Sequence, residues 1–201
     1  MKSSPAGRPT MRELRFHGRG GQGTVVASKI LAVAMFKEGR QVQSFPAFGV
    51  ERRGAPVTAF LRVSDDPIRL RCEITEPDGL IVLDPTLTRV VDVTAGLKPG
   101  GIILINSARD PEHYPELVQR FDVFTVDASA VAQRFGLGSR TQPIVNTAIL
   151  GAIGAMGIVG LESVFEAIRE EVPDKAEANV AAAEAAARLV RHAERSRTIY
   201  A

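Results

Sequence analysis

The sequence predicts an α/β fold, a mostly parallel sheet flanked by helices, with a helical C-terminal third. Three observations carry this. Glu13-Leu-Arg-Phe-His17 alternates polar and apolar residues and runs into Gly18-Arg-Gly-Gly-Gln-Gly23, after which a helical pattern occupies residues 24–38. Strand, glycine-rich turn and helix form the opening unit of a doubly wound sheet. Three short apolar runs, 80–83, 101–105 and 123–126, each close on a polar residue, Asp84, Asn106 or Asp127. Runs of that length are what buried parallel strands require, and the three polar residues then lie along the carboxyl edge of one sheet. Finally, residues 144–197 are rich in Gly and Ala at helical spacing.

Taken in order, helix 24–38 places Val26, Ile30 and Val33 on one face, Lys37 in its last turn and Gly39 where it must end. Residues 41–45 and 56–63 read as strands. The ten residues between them hold two glycines, a proline and three charges, which makes a long structured loop rather than a hairpin turn. Segment 144–161 is apolar enough to resemble a membrane span, but Asn146, Thr147 and four glycines interrupt it, so a buried core helix is expected. Each helical Gly costs roughly 1 kcal/mol relative to Ala. The recurrence of Gly151, Gly154, Gly157 and Gly160 therefore implies that another backbone packs very close. A helix over 161–171 follows. A long Ala-rich helix is expected over 174–197, with Val180, Ala183, Ala187 and Val190 on one stripe and Glu184 four residues before Arg188. Residues 1–11 read as a loose tail without an apolar leader, and 12–201 as a single domain, which points to a cytoplasmic protein outside membranes.

Composition excludes whole classes of chemistry. Hydrophobic residues make up 45% and charged residues 24%, so the chain is not disordered. One cysteine, Cys72, cannot form an internal disulfide, a cysteine-type zinc site or an iron–sulfur cluster. His17, His113 and His192 are scattered without metal-ligand spacing, so no metal site is expected. A net charge of +2 gives no dominant field for nucleic acid. Among the basic residues 20 are Arg and 5 are Lys; some of these guanidinium forks suit carboxylates or phosphates.

Gly18-Arg-Gly-Gly-Gln-Gly23 is the strongest local signal. Its glycines allow close backbone approach, and the following helix N-terminus presents unpaired N–H groups, so a phosphate or carboxylate is the natural guest. Its G-x-G-G-x-G spacing is not a dinucleotide fingerprint. No Gly-Lys-Ser/Thr follows, and the second strand holds Gln41, Gln43 and Ser44 where a ribose-binding acid would stand. A purely structural tight turn remains the alternative. In the loop after residue 45, Glu51, Arg52 and Arg53 are flanked by Gly49 and Gly54, while Phe45 and Phe48 need a surface to pack on, which a partner would supply. His17 beside the turn is expected to satisfy a local backbone group, and Cys72 to be a small core hydrophobe. No nucleophile elbow or His-Glu-x-x-His helix is present, so the chain has no catalytic residue of its own.

Four ordered motifs carry a resemblance: Phe16-His-Gly-Arg-Gly-Gly-Gln-Gly23, the stretch from Gln43-Ser-Phe-Pro to Arg53-Gly-Ala-Pro56, Pro77-Asp-Gly-Leu-Ile-Val-Leu-Asp84, and Val145-Asn-Thr-Ala-Ile-Leu-Gly-Ala152. Together, across about residues 12–195, the chain resembles the gamma subunits of the 2-oxoacid:ferredoxin oxidoreductases, the pyruvate synthase type in particular. The resemblance implies a Rossmann-like module beside an active site in which a 2-oxoacid, pyruvate or a relative such as phenylglyoxylate, is oxidatively decarboxylated to an acyl-coenzyme A. It implies thiamine diphosphate, Mg2+ and [4Fe-4S] clusters on alpha, beta and ferredoxin-like delta partners, with electrons passing to ferredoxin or, through a further subunit, to NAD. This chain would bind none of them autonomously and would help receive coenzyme A at the subunit interface. The residues expected toward coenzyme A are Gly18, Arg19, Gly20, Gly21, Gln22, Gly23, Arg52 and Arg53; those expected at the interface are Phe45, Phe48, Glu51 and Asn146. Two other readings stay open: a stand-alone NAD- or FAD-binding oxidoreductase, and a purely structural assembly subunit.

Overall fold

A computed structural model describes residues 11–47 and 54–193 of the chain. The sheet grows outward from its most apolar strands. β4 (Gly79–Val82) and β5 (Ile102–Asn106) are almost wholly buried, and they lie in parallel between β1 (Arg12–Arg19) and β6 (Asp122–Val126). The register runs Phe16, Ile81, Leu104, Phe124 across these four strands. β3 (Pro56–Ser64) then pairs antiparallel with β1, β2 (Gln41–Pro46) antiparallel with β3, and β7 (Arg191–Ala193) antiparallel with β6. The order is β2-β3-β1-β4-β5-β6-β7. Only β3 and β7 run against the others, so the sheet is mixed but mostly parallel, as expected.

Alternation along β1 divides its side chains between two unequal layers. Leu14 and Phe16 enter the larger core, which is closed by α1 (Thr24–Lys37), α3 (Ala128–Arg134), α4 (Asn146–Ala155), α5 (Leu161–Glu171) and α6 (Ala176–Ala187). The opposite face is covered more thinly, by α2 (Pro115–Val118), two 3₁₀ turns and connecting segments over Leu80, Val82, Ile103, Ile105, Phe121 and Val123. Arg15, His17 and Arg19 alternate with Leu14 and Phe16 and so belong to this second face.

Within α1 the buried apolar residues are Ala27, Ile30, Leu31, Ala32, Ala34 and Met35, with Thr24 and Ser28 buried beside them, and Val26 is 44% exposed. The stripe expected through Val26 is displaced because α1 packs at once on β2, β3, α4 and α5, which demands a wide apolar face. The close approach implied by the glycine recurrence is found at Gly151: a Cβ there would overlap the carbonyl oxygen of Ala183 in α6. α4 ends at Ala155, so Gly157 and Gly160 lie in the turn to α5 rather than inside a helix.

The C-terminal helix expected over 174–197 is shorter. α6 stops at Ala187 and the chain returns to the sheet as β7. Tertiary bonds override helix propensity here: the Arg191 guanidinium donates to Ser107 O at 2.9 Å, Ala108 O at 3.0 Å and Asp110 Oδ1 at 2.9 Å. His192 stacks on Phe124 with ring centroids 4.0 Å apart. Glu184 and Arg188 do form the expected i,i+4 pair. Among the described residues no helix is long and apolar enough to cross a membrane.

Candidate functional site

The topology singles out one place on the sheet. From β1 the chain leaves through α1 toward β2 and β3 on one side, while from β4 it proceeds to β5 and β6 on the other. The carboxyl ends of β1 and β4 are therefore the switch point, where open α/β sheets hold their ligands. Residues 18–23 and Asp84 meet there, around a cleft of about 460 Å³ that Arg19, Gly20, Gly21, Gln22, Asp84 and Asn106 help to line.

β1 reaches farther than the alternation of 13–17 predicts, because Gly18 and Arg19 pair with Val57 and Pro56 of β3. The turn proper is Gly20–Gly23, tied across by Gly20 N–H to Ala55 O at 2.9 Å and Gly54 N–H to Gly20 O at 3.1 Å. Gly23 adopts φ +78° as the N-cap of α1, and a Cβ on it would come 2.7 Å from Asn146 Nδ2. Both the left-handed conformation and the contact demand glycine. Gly23 has no side chain to cap the helix, and among the described residues no side chain caps the first N–H groups of α1, which suits an external acceptor. Thr24 Oγ1 is buried in the same turn and makes no hydrogen bond among the described residues.

Charge is organised around Asp84. Its Oδ2 accepts from Arg19 Nε at 2.9 Å and from Gln22 Nε2 at 3.2 Å; its Oδ1 accepts from Thr86 N–H at 2.9 Å and from the Thr86 hydroxyl at 2.6 Å. Burial alone would raise the Asp84 pKa, but the bonds from Thr86 and the neighbouring Arg19 cation outweigh it and hold the carboxyl below its usual range. Arg19 also donates from one terminal nitrogen to Gly54 O at 3.0 Å and from the other to Thr86 Oγ1 at 2.9 Å. Among the described residues one N–H on each terminal nitrogen has no partner, which suits an incoming oxyanion. Gln22 closes the turn by accepting the Arg19 backbone N–H at 2.7 Å.

Asn106 forms the far wall. Its Nδ2 donates to Leu83 O at 2.8 Å and Ser129 Oγ at 3.0 Å, while its Oδ1 accepts from Ser129 N–H at 3.2 Å. The ends of β4, β5 and β6 are thereby locked together at the site.

The structure thus brings Arg19, Gly20, Gly21 and Gln22 to one cleft, leaves Gly18 in β1 and Gly23 against Asn146, and adds Asp84, which the sequence marks as an edge residue but not as the partner of Arg19. The Asp84-Pro85-Thr86 sequence at a strand end was the available signal, since Asp before such a turn caps it. Asn146 is 6% exposed and lies against Gly23 within this chain. Phe45 packs on Phe60 with centroids 5.2 Å apart and lies under the Arg62 guanidinium at 5.5 Å. Phe48, Glu51, Arg52 and Arg53 lie outside the described residues.

Two other expectations change. Cys72 is exposed rather than a core residue, and its Sγ accepts from Arg62 at 3.6 Å. His17 bonds to a side chain rather than to backbone: its Nε2 accepts from Arg15 Nε at 3.0 Å. Burial, reinforced by the Arg15 cation, lowers the His17 pKa to about 4 and keeps the imidazole neutral. Arg15 also donates to Val93 O at 3.0 Å and Ala95 O at 2.6 Å, so β1 grips the β4–β5 connection through Arg15 as well as Arg19.

Residues 13–189 match the pyruvate ferredoxin/flavodoxin oxidoreductase family. The chain is 56% identical over 164 residues, 80% of its length and 86% of the relative's, to the pyruvate/ketoisovalerate oxidoreductases common subunit gamma of Thermococcus kodakarensis. It is 45% identical to pyruvate synthase subunit PorC of Methanothermobacter marburgensis over 184 residues, 90% of this chain and 99% of that one. Its fold is similar to the crystal structure of pyruvate oxidoreductase subunit PORC of Thermotoga maritima, with a TM-score of 0.77 and 33% identity over 92% of this chain and 99% of that one. A conformationally required glycine turn at the switch point and a family match over nearly the whole sheet agree: the chain belongs to the pyruvate ferredoxin/flavodoxin oxidoreductase family.

Proposed function

We propose that this chain serves as the gamma subunit of a complex that oxidatively decarboxylates a 2-oxoacid to an acyl-coenzyme A, and that the cleft between residues 18–23 and Asp84 receives coenzyme A beside the catalytic partners. The observation that carries the proposal is the switch-point geometry: left-handed Gly21, Gln22 and a partly engaged Arg19 line one cleft, and the turn they form leads directly into the N-terminus of α1. These groups bind and orient an anion and offer no nucleophile or electron carrier. With a single cysteine the chain cannot ligate an iron–sulfur cluster, which assigns the [4Fe-4S] centres to partner chains. Thiamine diphosphate with its Mg2+ is assigned to the partners as well, on the family resemblance. The relatives' names favour pyruvate or a branched-chain 2-oxoacid as substrate. The partners are alpha, beta and delta subunits, and the electrons leave to ferredoxin or, by a further subunit, to NAD.

The test is steady-state kinetics of the assembled complex carrying Arg19→Ala or Gln22→Ala. At least a tenfold rise in the coenzyme A KM, with the 2-oxoacid KM little changed, is expected. Unchanged coenzyme A kinetics in an intact complex would refute the assignment and leave a subunit that serves assembly alone. Micromolar binding of NAD or FAD by the isolated chain would instead favour an independent oxidoreductase.

A further inference from the structure

A second, larger cleft opens at the same sheet edge and plays no part in the function proposed above. Its volume is about 810 Å³, within the range of roughly 300–1,000 Å³ of small-molecule sites. One wall is the β4–β5 connection around residues 85–94, the other the β5–β6 connection around 107–120. Asn106 and Ser129 separate it from the glycine-turn cleft, since both clefts touch these two residues.

Three kinds of surface converge in it. Arg89 and Arg109 come from the two walls, and among the described residues neither guanidinium makes a hydrogen bond or ion pair. Arg15, Arg62 and Arg191, by contrast, are committed to internal partners. Flat and apolar groups form the second surface: Val91, Leu117 and the ring of Tyr114, which is fixed by its hydroxyl donating to Ser107 Oγ at 3.0 Å. The third is acidic. Asp92 is engaged locally by Thr94 and Ala95, whereas Asp127 spends Oδ1 on Ala130 N–H and, among the described residues, keeps Oδ2 for another donor. Arg120 stands near Asp92 and over the Phe121 ring, and Glu116 and His113 lie at the exposed rim.

Acids and arginines in similar number make this a poor trap for a bare anion. They suit a ligand with a phosphate end, a hydroxylated middle and a flat ring. We propose that this cleft binds a nucleotide, with its phosphates between Arg89 and Arg109, its ribose hydroxyls donating to Asp127, and its base against Tyr114, Val91 and Leu117. Its place at the carboxyl ends of β4, β5 and β6 is where parallel sheets present ligands. The proposal does not rest on the coenzyme A reading, which concerns the neighbouring cleft.

Calorimetric titration of the full chain with ADP, adenosine and pyrophosphate tests it. ADP is expected to bind at least tenfold tighter than either fragment. The double variant Arg89→Ala/Arg109→Ala should weaken ADP at least tenfold at unchanged melting temperature, and Gln22→Ala should leave ADP binding intact. Pyrophosphate binding as tightly as ADP would reduce the cleft to an anion site and overturn the proposal. Adenosine binding as tightly would remove the arginines from it. Loss of ADP binding in Gln22→Ala equal to that in the arginine variant would place the nucleotide in the other cleft, and no heat up to millimolar ADP would refute it outright.

Discussion

Arg19 donates through Nε to Asp84 Oδ2 at 2.9 Å, joining the carboxyl end of β1 to that of β4 across the switch point. The two residues stand 65 positions apart, and the same carboxylate also accepts from Gln22, so one acid sets both the strand end and the turn. Asp84→Asn keeps the shape but removes the charge that orients Arg19 and Gln22. Arg19 is partly exposed and solvent screens the pair, so the expected loss of stability is roughly 1–2 kcal/mol. Chemical denaturation reads that loss. Paired kinetics of the complex should show a raised coenzyme A KM, and a variant with parental stability and kinetics would remove Asp84 from the site.

Arg15 and His17 make stability depend on pH. His17 titrates near 6.5 when unfolded and near 4 when folded, so between these values the unfolded chain binds the extra proton. Stability from this group is complete above about pH 6.5 and is lost as pH falls toward 4. The gap between the two values bounds the loss at roughly 3 kcal/mol. His17→Gln retains an acceptor for Arg15 and cannot titrate. Denaturation midpoints at pH 7, 5.5 and 4.5 should fall for the parent and stay flatter for the variant; parallel profiles would sink the assignment. Asp84 and Asp92, both held below their ordinary values, lose their contributions only below this window.

What local pattern encodes, the sequence made readable. The runs ending at Asp84, Asn106 and Asp127 are the central parallel strands, and the glycine turn lies where a strand hands over to a helix. What long-range pairing encodes was hidden. β7 rests on Arg191 reaching the 107–110 segment and on His192 finding Phe124, contacts that no window over an Ala-rich helix contains. The polar face of β1 was equally hidden, because Arg15 and Arg19 look like solvent-facing residues of an alternating strand until the 84–95 segment folds over them. Cys72 was misread because its neighbours Ile74 and Leu70 suggest an interior, although the segment skirts the sheet with Leu70 44% exposed.

Arg62 is 1% exposed and supplies Nε to Glu13 Oε1 at 2.7 Å, with its terminal nitrogens bonding Gln43 Oε1 at 3.0 Å, Glu73 O at 3.4 Å and Cys72 Sγ. Removing one partner of a buried pair strands the other. Arg62→Met should therefore cost about 3 kcal/mol, at the low end for such pairs because Glu13 keeps some exposure. Arg62→Lys should rescue little, since a single ammonium nitrogen cannot reach four acceptors spread around a planar fork. The double variant Glu13→Gln/Arg62→Met should be more stable than Arg62→Met alone. Strictly additive losses would show that the pair carries no coupling.

Gly151 and Gly154 occupy the same helix yet face different neighbours, and that contrast separates packing from propensity. Helix propensity favours Ala over Gly by about 1 kcal/mol at both positions. At Gly151 the added methyl meets the Ala183 carbonyl, backbone that α6 can yield only by moving as a whole. At Gly154 it meets the Leu161 side chain, 2.6 Å from Cδ2, which a rotamer change can clear. Gly151→Ala is thus expected to lose about 2 kcal/mol or more, and Gly154→Ala to lie within about 1 kcal/mol of the parent. Thermal unfolding of the two variants decides between the terms. A Gly151→Ala variant as stable as the parent would mean that α4 and α6 are not held in backbone contact.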